Sequence, residues 1–94
     1  MILIKRKLFS FLNQFVRISC TYKSGILEGR IILFWIDEMF KSDRINCRVI
    51  TKANKEVIFP IDGDILNVFS KNNKSVFLLS NGHKLIIEKL NRNE

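Results

Sequence analysis

The stretch "VRISCTYKSGILEGRIILFWID", residues 16–37, predicts two adjoining β-strands and decides the fold. In its first third, Val16, Ile18, Cys20 and Tyr22 alternate with polar residues. Alternation with a period of two is typical of a strand that buries one face and exposes the other. This segment therefore predicts a strand at the surface of a small core.

Two glycines shape the rest of this stretch. Gly25 lies in a polar "KSG" segment and predicts a turn, whereas Gly29 lies inside the following strand and predicts a bend. Beyond it, residues 31–36 are apolar at every position. A continuous apolar run is typical of a strand covered on both faces, so we expect a long bent strand that passes from the edge of a barrel into its core.

The sequence after residue 37 predicts further strands separated by polar turns. "INCRVIT" (45–51) alternates again, and "EVIFPI" (56–61) is a short strand that ends near a proline, a residue confined to strand ends or sheet edges. "DILNVF" (64–69) fits either a short strand or a single helical turn.

A hairpin is the clearest local prediction near the end of the chain. In "SVFLLSNGHKLIIE" (75–88), two apolar stretches flank Asn81-Gly82. An Asn-Gly pair readily adopts a type I′ turn, so we expect Ser80 to pair with His83 across the turn.

The amino-terminal segment carries the only helical signal. Its apolar side chains recur at helical spacing, at Leu8, Phe11, Leu12 and Phe15. Residues 5–7 are all cationic and oppose the helix dipole at this end, so a strand remains the alternative.

Residues 8–69 resemble the Sm-like family of small β-barrels, which includes the Hfq-like RNA-binding proteins. The resemblance rests on Leu12-Asn13, the alternating strand, Gly25, Gly29 and Asp37, and more loosely on "FPIDGDILNV". It implies a mainly all-β, SH3/Sm-like antiparallel barrel with a short amino-terminal helix, to which this chain adds an extra carboxy-terminal hairpin at 75–88. Asp62 stands where the family carries an RNA-contacting arginine, so the family's RNA pocket is not expected here.

Length, composition and charge limit the kinds of partner and the environment that we expect for this chain. The 94 residues predict one domain (1–94), and 16 Lys and Arg against 9 Asp and Glu give a net charge of +7, which attracts polyanions. No apolar run approaches the roughly 18 residues of a membrane span, so no membrane association is expected. Cys20 and Cys47 lack metal-binding spacing, and we expect buried thiols in a reducing cytoplasm.

No sequence motif indicates a particular reaction. The single histidine, His83, lies beside a turn, and no nucleophile is near it in the sequence. Asp62 and Asp64 flank a glycine, but the further oxygen donors that a calcium loop needs are missing. We therefore expect neither an enzyme nor a metal or other cofactor.

Two functions remain in competition. The first is a small nucleic-acid-binding or regulatory module without strong sequence specificity, for RNA or DNA, that uses a basic face. The residues of this face are Lys5, Arg6, Lys7, Arg17, Lys23 and Arg30. The second is a protein interaction module, such as an inhibitor or adaptor from a phage, a plasmid or another mobile element, in which the hairpin contacts a protein partner or a second copy. The residues of that contact are Phe77, Leu79 and Ile86.

Overall fold

A computed structural model describes residues 2–21, 25–37, 44–61 and 64–90. One helix precedes seven strands. The helix and strands are α1 (Ile2–Phe9), β1 (Phe15–Cys20), β2 (Leu27–Asp37), β3 (Arg44–Thr51), β4 (Glu56–Ile61), β5 (Ile65–Lys71), β6 (Lys74–Leu79) and β7 (Lys84–Lys89). The prediction of a mainly antiparallel all-β fold with a short amino-terminal helix is confirmed, and the segment at 64–69 is a strand. The helix lies earlier than the spacing from Leu8 to Phe15 indicated, because Phe15 already belongs to β1. Arg6 and Lys7 are therefore in its last turn, where cations suit the helix dipole.

The seven strands form one antiparallel sheet in the order β4-β3-β2-β1-β7-β6-β5. Strands β4 and β5 lie at its two ends, and each pairs with one neighbour among the described residues. The sheet is therefore not closed into a barrel, which corrects that part of the prediction. The hairpin is no appendage, because β7 pairs with β1 along five residues and joins β6 and β5 to the rest of the sheet.

Alternation places one face of the sheet in the core. Strand β1 alternates as the sequence predicts, with Val16, Ile18 and Cys20 buried. The core also takes in side chains from α1, its following turn and the other strands. Its buried members are Leu8, Phe11, Val16, Ile18, Cys20, Ile31, Ile45, Cys47, Val49, Ile61, Ile65, Phe77, Leu79, Leu85 and Ile87.

Strand β2 joins β3 and β4 on one side to β1 and β7 on the other, and Gly29 takes part in both of its ladders. This residue pairs with Val16 of β1 on one side and with Thr51 of β3 on the other. A Cβ atom here would lie 2.5 Å from the carbonyl oxygen of Ile50 and 2.6 Å from Cγ1 of Val49. Glycine is required because the neighbouring strand leaves no space for a side chain.

The apolar run after Gly29 is not covered on both faces along its length, contrary to the expectation, and Ile32, Phe34 and Trp35 are only half-buried. Ile31 is fully buried, but Leu33 is 43% exposed. The register with β3 shifts between these two residues, and Leu33 then pairs with Arg48. A bulge inserts an extra residue into one strand and turns the following side chains. It therefore places Leu33 at the surface.

The turn of the predicted hairpin differs from a type I′ turn. The Gly82 N–H donates to the carbonyl oxygen of Leu79 (3.1 Å), and the Leu79 N–H donates to that of His83 (2.9 Å). Leu79 thus opposes His83, and the loop contains Ser80, Asn81 and Gly82. Only Gly82 has a positive φ, 85°, as in a three-residue loop that ends in a left-handed residue.

We predict that Gly29→Ala destabilises the protein by about 1–3 kcal/mol, because the added methyl group collides with the Ile50 backbone. Denaturant titration measures the loss. Arg30→Ala, one residue along the same strand and exposed, is the control and should change stability by less than about 0.5 kcal/mol. Equal effects at both positions would contradict a steric requirement for glycine.

We predict that Gly82→Val destabilises the protein by at least about 1 kcal/mol, because valine is strained at a positive φ. Gly82→Asn should cost less, since asparagine tolerates this region and no atom lies within 4 Å of the added Cβ. Thermal melting of the two variants tests the difference. Identical melting curves would show that the backbone conformation of the loop is not restricted.

Candidate nucleic-acid interface

Arg17 lies at the centre of the outer face and is engaged by two carboxylates. In the sheet it is directly opposite Glu28 of β2 and Glu88 of β7. Its Nε atom donates to Glu28 Oε2 at 2.8 Å, and Nη1 lies 3.5 Å from Glu88 Oε1. The hydrogen bond and charge of Glu28, with a smaller contribution from Glu88, raise the pKa of the Arg17 guanidinium. A paired guanidinium is a poor phosphate ligand, so Arg17 leaves the candidate site.

The other predicted cations that the structure describes, Arg6, Lys7 and Arg30, lie on different elements. Arg30 is exposed on the outer face of β2, in a row with Phe15 of β1 and Ile50 of β3. Arg6 is exposed on α1, whereas Lys7 is half-buried and belongs to a groove at the end of the sheet. The side chain of Lys5 and the whole of Lys23 lie outside the described residues.

This groove lies between the end of α1 and the turn that joins β5 to β6. It has a volume of about 320 Å³ and contains two lysines, with no carboxylate among its lining residues. The lining residues are Lys7, Ser10, Phe11, Gln14, Asn72, Asn73, Ser75 and Lys89. We call it the basic groove.

Backbone contacts hold the walls of the basic groove in place. The Lys89 N–H donates to the carbonyl oxygen of Asn73 at 2.7 Å, and the Gln14 N–H donates to that of Phe11 at 3.0 Å. The Ser10 hydroxyl donates to the carbonyl oxygen of Lys7 at 2.5 Å. The first of these bonds joins the end of β7 to the β5–β6 turn, whereas the other two are local to α1 and the turn that follows it.

Cations cluster around the β5–β6 turn. Lys71 and Lys74 face each other across Asn72-Asn73, and both are exposed. Asn72 has a φ of 58°, in the left-handed region that asparagine tolerates in tight turns. Within the described part of the chain, no salt bridge involves Lys7, Lys71, Lys74 or Lys89. Four lysines and two side-chain amides therefore form a surface suited to an anion.

Sequence reasoning identified Lys7 but missed the other members of the basic groove. The string "KNNK" (71–74), a tight polar turn between two lysines, was the available signal for one wall. Nothing in the sequence pattern placed Lys89 beside Lys7, because the pairing of β7 with β1 brings these residues near each other.

Two of the three predicted protein-contact residues face the wrong way. Phe77 and Leu79 are buried in the core, so they cannot form a contact surface. Ile86 is half-buried on the outer face, where its neighbour across the ladder is Val76. Strand β6 is apolar on both faces, and its neighbours in the sheet determine which face is buried.

Of the residues considered for catalysis or metal binding, His83 and Asp64 lie in the described chain. His83 Nδ1 lies 3.0 Å from the Thr21 hydroxyl, and the Asp64 N–H donates to the Ser80 hydroxyl. Among the described residues, no group of three metal-ligating side chains comes together and no helix is long and apolar enough to cross a membrane. Asp62 lies outside them.

Comparisons of the chain with protein-family models, with curated proteins and with solved structures gave no match.

We predict that Arg17→Ala lowers the unfolding midpoint, because Glu28 and Glu88 then lose the cation between them. In the background of Glu28→Gln, the same substitution should cost less, and the double-mutant cycle measures this coupling. Arg30→Ala is the matched control, since no ion pair of Arg30 occurs in the described residues. Additive effects of Arg17→Ala and Glu28→Gln would contradict the pairing.

Proposed function

We propose that the protein binds nucleic acid through the basic groove and the lysines around it, with little sequence preference. The observation that carries this proposal is the convergence of Lys7 and Lys89 with Ser10, Gln14, Asn72 and Asn73 in a concave surface without a carboxylate. Phosphate oxygens accept hydrogen bonds from ammonium, amide and hydroxyl groups alike, and all three are present. Binding rather than catalysis is the proposed role.

The distribution of charge supports this assignment. At the centre of the sheet Arg17 is paired with two glutamates, and on β3 Arg48 Nε lies 2.7 Å from Glu56 Oε1. Cations that are paired within the protein have little to gain from a phosphate. The lysines of the basic groove are unpaired in the described chain, so much of the excess positive charge is available at this end of the sheet.

The groove favours backbone contacts over base recognition. Its one aromatic ring, Phe11, is buried in the core, and the Lys7 ammonium lies 5.8 Å from the ring centre. A buried ring offers no surface on which a base could stack. We therefore expect contacts with phosphates and sugars, and comparable binding of single strands and duplexes.

We also propose that the protein is related to the Sm-like family and that it acts in the cytoplasm. A small antiparallel sheet with a short amino-terminal helix is compatible with an SH3/Sm-like ancestry and with RNA as the nucleic acid. Cys20 and Cys47 are both free and buried, which suits a reducing cytoplasm.

We predict that Lys7→Ala and Lys89→Ala each reduce the salt dependence of nucleic-acid binding. When a phosphate contact is lost, fewer counterions are released on binding. The slope of log affinity against log salt should therefore fall in magnitude by about 0.7–0.9 per lysine. Fluorescence anisotropy with a labelled single strand and a labelled duplex, between about 0.05 and 0.2 M salt, measures the slope.

Lys84→Ala is the charge-matched control, because Lys84 begins β7 and Lys89 ends it, about 17 Å away along the strand. It should leave the slope nearly unchanged. An equal reduction by Lys84→Ala would show binding to the net charge alone, and absence of salt-sensitive binding by the wild-type protein would overturn the proposal.

A further inference from the structure

The two ends of the sheet differ in their capacity to accept another strand. Strand β4 contains Pro60, which has no N–H to donate, and Glu56 pairs with Arg48 of its own sheet. Strand β5 has seven residues, contains no proline and pairs only with β6 among the described strands. Unpaired backbone groups on a long edge strand are a template for pairing with another chain.

Most side chains of the edge strand β5 are exposed to solvent, and α1 lies against part of the strand. Leu66 and Phe69 are 60% and 57% exposed, and Asn67, Ser70 and Lys71 are exposed as well. The Val68 N–H donates to Oδ1 of Asn67 at 2.8 Å, so a side chain of β5 itself occupies this backbone donor. An exposed side chain is easily displaced, and the N–H can then bond to an incoming strand.

The outer face beside this edge is apolar and framed by cations. Phe69 begins a cross-strand row that continues through Val76 of β6 to Ile86 of β7. Lys71, two residues after Phe69, lies in the next row, which continues through Lys74 of β6 to Glu88 of β7. Strands β5 and β6 contain no acidic residue. We call Phe69, Val76, Ile86, Lys71 and Lys74 the edge patch.

We propose that the free edge of β5 accepts a strand of an acidic partner protein, which pairs with β5 and places an apolar side chain beside Phe69 and a carboxylate beside Lys71. Cross-strand neighbours of opposite charge and of apolar character stabilise such a pair. A second copy of this chain is a poor occupant, because two molecules of net charge +7 repel each other.

The proposal fixes the sequence pattern of the partner strand. All strand pairs of the sheet are antiparallel, and an antiparallel strand passes Lys71 before it passes Phe69. The outward residues of the partner strand therefore follow the order Glu-x-Ile from its amino end. A capped synthetic peptide with this triplet and threonine at the other positions is the probe.

Titration of the peptide into the full chain, followed by NMR, tests the proposal. Saturable binding should shift the Val68 amide signal and slow its hydrogen exchange, because that N–H changes its acceptor. Phe69→Ser should weaken binding about fivefold. Ile58→Ser is the matched control, since Ile58 is 53% exposed on the opposite edge strand, β4, and it should leave binding unchanged.

A charge exchange separates pairing at Lys71 from general attraction of an acidic peptide. Lys71→Glu should weaken binding of the Glu-x-Ile peptide. A second peptide, in which lysine replaces the glutamate, should bind the Lys71→Glu variant as the first peptide binds the wild-type protein. Lys7→Ala should affect neither peptide, because Lys7 lies in the basic groove and outside the edge patch.

Four outcomes would overturn the proposal. The first three are the absence of saturable binding, equal losses of affinity in Ile58→Ser and Phe69→Ser, and failure of the charge exchange. The fourth is a wild-type dimer in sedimentation that Phe69→Ser dissociates. That result would assign the edge to a second copy of the chain.

Discussion

The close approach of β2 and β3 at Gly29 is the constraint on which the sheet depends. The carbonyl oxygen of Ile50 would lie 2.5 Å from a Cβ at this position. Gly29 is also a partner of Val16 in the ladder to β1, so one residue without a side chain serves both ladders of β2. Strand β4 is joined to the sheet through β3, and β7 is joined through β1, so both halves are aligned by β2.

An open sheet of this kind separates its charges by position. The centre of the outer face contains the row Glu28, Arg17 and Glu88, in which each residue lies opposite the next. Opposite charges on adjacent strands compensate one another, so this region exerts only a weak electrostatic attraction on a charged partner. Of the lysines that form no salt bridge in the described chain, Lys71, Lys74 and Lys89 lie near the β5–β6 turn, whereas Lys52 and Lys55 lie between β3 and β4 and Lys84 begins β7.

The sequence predicted those features that depend on neighbouring residues. The alternation from Val16 to Cys20 correctly predicted a strand with one buried face, and Asn81-Gly82 correctly predicted a hairpin. The type of turn was not predictable from the pair alone, because Leu79 rather than Ser80 opposes His83. Local preference identifies a turn, whereas the register of the two strands determines its length.

Features that depend on distant residues were beyond sequence analysis. Strand β6 is apolar at four consecutive positions, so its pattern did not tell whether Phe77 or Val76 faces the core. Arg17 was expected in the basic face because nothing in the sequence shows that Glu88 is its neighbour. The basic groove was missed for the same reason, since Lys7 and Lys89 meet only after β7 pairs with β1.

The pairing of β1 with β7 also determines the order in which the chain can fold. Ile18 and Ile87 are partners although about 70 residues separate them, and closing so long a loop is entropically costly and slow. Strands β2, β3 and β4 pair with sequence neighbours and can form while the ribosome is still synthesising the rest. Until β7 has emerged, β1 has one unpaired edge and Val16 and Ile18 lack part of their cover. The nascent chain therefore passes through a stage at which it is most exposed to aggregation and to chaperones.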